Sequence, residues 1–118
     1  MVSWNNLDTL SSYKELADVK PACLTEVMSG DNGAERVKNY SVPMAAGLSY
    51  NYASKQVNEN VLAALEKLAN EAQLADKFKA LYNGEVVNTG EKRLVLHHMT
   101  RGQLGDAVEA DGVDLSLI

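Results

Sequence analysis

Three residues in the second half of the chain have the types and spacing to bind an anion. Arg93, His97 and Arg101 follow one another at intervals of four residues, and such residues share one face of an α-helix. A stripe of two guanidinium groups and an imidazole could hold a sugar phosphate or contact a neighbouring subunit. It could equally be a polar surface face paired with carboxylates elsewhere, which is the commoner fate of such residues.

The segment that carries these residues, 83–101, is predicted to be a loop that leads into a helix. Its two glycines can adopt the positive φ of a tight turn or helix end. Thr89 can cap the helix by accepting a hydrogen bond from a backbone N–H of the first turn. Glu91 near the start and Arg101 near the end then complement the helix dipole.

The other residues whose side chains could take part in a reaction form no recognisable active site. Glu85, Glu91 and His97 could do acid–base work, but nothing in their spacing requires it. The sequence contains no glycine-rich phosphate loop and no nucleophile elbow. Cys23 is the only cysteine, which excludes an internal disulfide. A lone cysteine near apolar residues is more often a small core residue than a nucleophile. The residues alone predict no catalytic, cofactor-binding or metal site.

The composition is that of a folded globular protein. Of its 118 residues, 46% are apolar and 23% are charged, and the net charge is −5. An acidic chain is a poor general ligand for nucleic acid. No apolar run approaches the roughly 18 residues of a membrane span, and residues 1–6 lack the basic and apolar regions of a signal peptide. We therefore expect a cytoplasmic protein that binds neither nucleic acid nor membrane.

Helical periodicity dominates the chain. Apolar residues recur at three- and four-residue steps over 4–18, 58–71 and 73–82, which predicts three amphipathic helices. Asn58 is a suitable N-cap for the second, and Asn83–Gly84 is typical of a left-handed C-cap for the third. The side chains expected to face the core include Leu62, Leu65, Leu74 and Phe78.

Between the first two long helices the pattern changes. Residues 24–28 suggest one or two further helical turns, and the cluster 29–33 predicts a turn. Residues 40–54 contain β-formers in alternation, with Pro43 suited to an edge strand, so a two-stranded hairpin is expected there. The predicted fold is mostly α with a small β-hairpin, formed by residues 1–103 and followed by an acidic tail at 104–118.

Residues 84–97 resemble the phosphoglucose isomerase family. That family carries Gly-Glu-x-x-Asn, then Thr-Glu-x-Arg-Ala-Val-Leu-His, and an arginine about four residues later. Residues 51–57 are similar to its Asp-Tyr-Ser-Lys-Asn-x-Ile run, and the resemblance continues in order over residues 3–103. Leu94 departs from it, since the family usually has alanine there. The positions that match in 84–101 are Gly84, Glu85, Asn88, Glu91, Arg93, Val95, Leu96, His97 and Arg101.

The resemblance implies the N-terminal helical segment of a larger α/β enzyme with two doubly wound sugar-isomerase domains. Such an enzyme interconverts glucose 6-phosphate and fructose 6-phosphate as a cytosolic homodimer, without metal or nucleotide cofactor. The family's catalytic groups lie beyond these positions, so no catalytic residue is transferred and the chain alone is expected to be inactive. Its implied partners are the rest of the isomerase chain and a second subunit. The alternative is a free-standing helical interaction module of shared ancestry.

Overall fold

The computed structural model describes residues 2–101, 109–110 and 113–114, and these residues are mostly helical. The mostly α fold class is confirmed. A single turn of 3-10 helix lies at Leu7–Thr9, and a longer 3-10 helix lies at His97–Arg101; the short turn at Ala45–Gly47 contains left-handed residues. The α-helices of the described residues are α1 (Ser11–Asp18), α2 (Leu24–Val27), α3 (Gly30–Asn39), α4 (Glu59–Glu71) and α5 (Leu74–Tyr82).

The predicted hairpin is confirmed. Strand β1 (Ser41–Pro43) pairs antiparallel with β2 (Ser49–Asn51), with Val42 opposite Tyr50. The connection turns at Ala46 and Gly47, whose φ values of 59° and 72° are both left-handed, as a type I′ hairpin turn requires. Within the predicted tail, β3 (Glu109–Ala110) pairs with β4 (Val113–Asp114).

The ends of α4 and α5 follow the predicted capping chemistry. The Asn58 side-chain oxygen accepts a hydrogen bond from the Val61 N–H at 3.0 Å, which satisfies a free donor of the first turn. At the end of α5, Gly84 has φ 75°, and the Glu85 N–H donates to the Ala80 carbonyl at 2.9 Å. This is the geometry of a Schellman C-cap.

Two local predictions are wrong. The helix expected over 4–18 begins only at Ser11, because the chain first forms the short 3-10 turn and then an extended residue at Leu10. The turn expected at 29–33 is instead the start of α3. Gly30 takes φ 61°, so one left-handed glycine redirects the chain and the helix follows at once.

The chain packs as two compact units, residues 14–66 and residues 1–13 with 67–118. The predicted division at 103–104 lies outside the described residues and stays a prediction. Among the described residues, no helix is long and apolar enough to cross a membrane.

Alanine forms the buried apolar core of the described residues. Leu65, Leu74 and Phe78, expected to face inward, are 39%, 61% and 65% exposed, so the prediction is wrong for these three side chains. Cys23, interpreted as a small core residue, is also exposed. Amphipathic periodicity shows which face of a helix is apolar, but covering that face needs another element. The buried apolar residues are Ala22, Ala53, Ala64, Ala72 and Ala80.

Candidate functional site

The segment that carries the predicted anion stripe is a turn and not a helix. Asn88 and Arg93 form an antiparallel bridge. The Asn88 N–H donates to the Arg93 carbonyl at 3.3 Å, and the Arg93 N–H donates back at 3.2 Å. The prediction of a helix that begins near Thr89 is therefore wrong over residues 88–93.

A local hydrogen bond explains why the turn forms. The Asn88 side-chain oxygen accepts from the Glu91 N–H at 3.2 Å, and Lys92 adopts φ 55° at the end of the turn. An asparagine that bonds a backbone N–H in this way competes with helix formation. Thr89 therefore does not act as the helix cap, and Glu91 lies in the turn itself.

The three residues of the predicted stripe do not share one α-helix. Arg93 lies in the bridge, its side chain 76% exposed and its Nε atom 3.7 Å from Glu91 Oε2. His97 begins the 3-10 helix and Arg101 ends it; the Arg101 side chain lies outside the described residues. The helical spacing that suggested an anion or subunit contact is lost, and that contact stays a prediction.

The second histidine makes a contact that the sequence did not reveal. The His98 ring stacks on Tyr82 with centroids 4.5 Å apart and planes inclined by 26°. Its Nε2 atom lies 3.1 Å from the Tyr82 carbonyl oxygen, which can only accept, so Nε2 carries the proton there. His98 thereby fastens the segment after the turn to the last residue of α5.

Glu71 is a polar centre of unit 1–13 with 67–118. Its carboxylate accepts from the Ser12 N–H at 2.8 Å and from the Ser12 hydroxyl. It also accepts from the Ser11 hydroxyl at 3.0 Å and the Ser11 N–H at 3.3 Å. Both N–H groups belong to the first turn of α1, and N–H groups in a first turn have no acceptor within their own helix. Glu71 therefore caps α1 from a distant part of the sequence.

These donors change the acidity of Glu71. The Ser12 hydroxyl and then the Ser12 N–H lower the pKa of Glu71 from 4.5 to about 2, because they stabilise the charged carboxylate. Partial loss of solvent contact opposes them, and the Ser11 donors add to the lowering. Every strong donor comes from a helix terminus, so the shift reflects capping and not a catalytic acid.

Replacing Glu71 by glutamine is expected to flatten the acid limb of the stability curve. The folded pKa lies below the unfolded one, so the stabilisation is complete above about pH 4.5 and is lost as pH falls toward about 2. Urea unfolding at several pH values in this window checks the slope. Glu66→Gln makes the same chemical change at another glutamate of α4 and serves as the matched control. Equal slopes for Glu71→Gln and the wild type would contradict the assignment.

Arg36 is the polar centre of unit 14–66. Its side chain extends from α3 and is 8% exposed. The Nε–H donates to the Ala53 carbonyl at 2.8 Å, and Nη2 donates to the carbonyls of Lys55 and Val57 at 2.9 and 2.8 Å. One guanidinium therefore fixes the loop that connects the hairpin to α4.

Tyrosine rings extend this centre. The Arg36 guanidinium lies 4.1 Å from the centroid of the Tyr40 ring, a cation–π distance. Tyr40 stacks on Tyr52 at 5.0 Å, and its hydroxyl donates to Glu59 at 3.2 Å. The guanidinium group contacts backbone carbonyls and the face of the Tyr40 ring. Arg36 therefore has a structural role in this unit.

The described residues hold no group of three or more histidine, cysteine or acidic side chains that could bind a metal. Both polar centres, at Glu71 and Arg36, satisfy backbone groups. At these two centres the polar contacts cap a helix and hold a loop in place.

Comparison with known proteins gives consistent matches. A family model described as Phosphoglucose isomerase matches residues 51–117. A glucose-6-phosphate isomerase of Treponema denticola is 43% identical over 97% of this chain and 23% of its own length. That of Treponema pallidum (strain Nichols) is 47% identical over 85% of this chain and 19% of its own. That of Borreliella afzelii is 43% identical over 94% and 20%. The chain thus spans about a fifth of the length of these curated relatives.

Proposed function

Because the chain belongs to the phosphoglucose isomerase family, we propose that it forms the N-terminal part of a glucose-6-phosphate isomerase. The whole enzyme interconverts glucose 6-phosphate and fructose 6-phosphate in the cytoplasm, without metal or nucleotide cofactor. The observation that carries the proposal is a family match over residues 51–117 together with 43% identity to a named isomerase along nearly the whole chain.

Within that enzyme the chain has an architectural role. Its polar contacts at Arg36 and Glu71 hold a loop and a helix terminus. The resemblance implies that the groups that bind and isomerise the sugar phosphate lie outside this segment, which spans about a fifth of the relatives' length. The partners of this segment are the rest of its own chain and, in a homodimer, the second subunit.

The chain alone is expected to show no isomerase turnover. A coupled assay that follows glucose 6-phosphate formed from fructose 6-phosphate checks this directly. A chimera in which the chain replaces the aligned segment of the Treponema denticola isomerase is expected to be active, because the two segments are 43% identical. The matched control is the same Treponema enzyme with the aligned segment deleted.

Two results would count against this function. Turnover by the 118-residue chain by itself would place a complete active site within it. A chimera that folds and is inactive, beside an active parent enzyme, would mean that the segment does not serve as the isomerase part.

A further inference from the structure

Two Asn-Gly pairs occur in the chain, Asn32–Gly33 and Asn83–Gly84. Asparagine is among the chemically labile residues of proteins, and a following glycine has no Cβ to keep its nitrogen away from the asparagine side chain. In both pairs the asparagine is exposed and the glycine is buried. The place of each pair in the fold must therefore decide which of them reacts.

The reaction is an intramolecular substitution at the asparagine amide. The backbone nitrogen of the glycine attacks Cγ, a new N–Cγ bond forms, and the Cγ–Nδ2 bond breaks. Ammonia leaves with the proton that the glycine nitrogen loses. Water then opens the cyclic imide at either of its carbonyls, which leaves aspartate or isoaspartate. Before the attack, the glycine N–H must leave its hydrogen bond, and the asparagine must rotate about ψ.

The pair Asn83–Gly84 lies at the end of a helix. Asn83 directly follows α5, with φ −82° and ψ 5°. The Gly84 N–H donates to the Leu81 carbonyl at 3.2 Å. The Glu85 N–H donates to the Ala80 carbonyl at 2.9 Å. Rotation about ψ of Asn83 breaks these two bonds of the C-cap and leaves the rest of α5 in place, and the free energy of such terminal fraying is small.

The pair Asn32–Gly33 lies within a helix that is held on two sides. It belongs to α3, where an added Cβ at Gly33 would lie 2.9 Å from the carbonyl carbon of Met28. Arg36, one turn later, donates to three carbonyls of the loop that connects the hairpin to α4. Rotation about ψ of Asn32 has to move α3 against both contacts. Opening here therefore costs more free energy than opening a helix end.

We propose that Asn83 is a site of spontaneous deamidation in the folded chain and that the fold protects Asn32. Isoaspartate at position 83 routes the main chain through its Cβ atom, which alters the spacing that the C-cap requires. The new carboxylate also lies at the negative end of the α5 dipole, where a negative charge is unfavourable. The modification thus loosens the end of α5, beside the contact between Tyr82 and His98.

Peptide mapping of the aged protein tests this assignment. The whole chain is kept folded in mildly alkaline buffer, and tryptic digestion then places Asn32 and Asn83 on separate peptides. Tandem mass spectrometry locates each conversion of amide to acid, and L-isoaspartyl methyltransferase labels the isoaspartate. Asn83 is expected to react at least about tenfold faster than Asn32, because its local opening is the less costly.

Two controls separate the fold from the local sequence. In urea, where the packing around both pairs is lost, Asn32 and Asn83 are expected to react at similar rates. Arg36→Met removes a contact that holds α3, so it should accelerate the reaction at Asn32 and leave that at Asn83 unchanged.

A matched pair of variants identifies the source of the isoaspartate label. Glutamine keeps the amide, but its longer side chain must form a larger ring. Asn83→Gln is therefore expected to remove most of the label, and Asn32→Gln to leave most of it.

Several results would overturn the assignment. One is a reaction at Asn32 that is as fast as that at Asn83 in the folded chain. Another is the absence of acid at position 83 when the urea-treated sample forms it. Equal acceleration at both asparagines in Arg36→Met would mean that the reaction proceeds through global unfolding. A label that survives Asn83→Gln would come from another residue.

Discussion

Replacing Arg36 by methionine is expected to lower the free energy of unfolding by about 3 kcal/mol. The buried guanidinium donates to three carbonyls, of Ala53, Lys55 and Val57. Methionine fills part of the volume but leaves these acceptors without their donor. The free energy of unfolding of Arg36→Lys should lie between those of the wild type and Arg36→Met. An ammonium group keeps the charge but lacks the planar fork that reaches several acceptors. Urea unfolding followed by circular dichroism measures the series.

Arg93→Met is the matched control for this substitution. The Arg93 side chain is 76% exposed, and its 3.7 Å ion pair with Glu91 is on the surface. Such a pair contributes little, so the control should change the free energy of unfolding by less than about 0.5 kcal/mol. Equal losses of stability in the two methionine variants would contradict the claim that the hydrogen bonds of Arg36 to the three carbonyls stabilise the chain.

Helix and hairpin positions could be predicted from sequence because their signals are local. Asn58 bonds the Val61 N–H three residues later, and Gly84 ends α5 by its own backbone conformation. The hairpin at 40–54 followed from alternation over a few residues. The family resemblance was likewise carried by colinear motifs, and the family match over 51–117 confirms it.

The two polar centres could not be predicted because they join distant parts of the chain. Arg36 and Val57 are 21 residues apart in sequence, and Glu71 and Ser12 are 59 apart. No residue type at one end identifies its partner at the other. The prediction that Leu74 and Phe78 are buried was wrong for a related reason. The pattern of α5 places both on one apolar face but does not say what covers that face.

The helix predicted to carry Arg93, His97 and Arg101 on one face does not form, because a local turn competes with it. Thr89 as a helix cap and Asn88 as a turn former are both consistent with the sequence, and the structure contains the second. The Asn-Thr-Gly run is a common turn signal, and a turn there separates Arg93 from the helical residues that begin at His97. The helical spacing of the stripe therefore had no helix to act through.

Gly33→Ala is expected to destabilise the chain by about 2 kcal/mol, although alanine is the better helix former by roughly 1 kcal/mol in a helix interior. An added Cβ would overlap the Met28 carbonyl oxygen and lie 2.9 Å from its carbonyl carbon. Backbone atoms cannot rotate away as a side chain would, so α3 must shift from the end of α2. Thermal unfolding at neutral pH measures the loss.

Gly90→Ala decides whether the contact with Met28 is the cause. A Cβ at Gly90 would meet the Asn88 side-chain oxygen at 3.7 Å, an ordinary contact. Alanine there restricts the unfolded chain and should be neutral or stabilising by up to about 1 kcal/mol. Gly33→Ala is therefore expected to lower stability and Gly90→Ala is not. A stabilised Gly33→Ala variant would mean that helix propensity outweighs the close approach, and that α2 and α3 have room to separate.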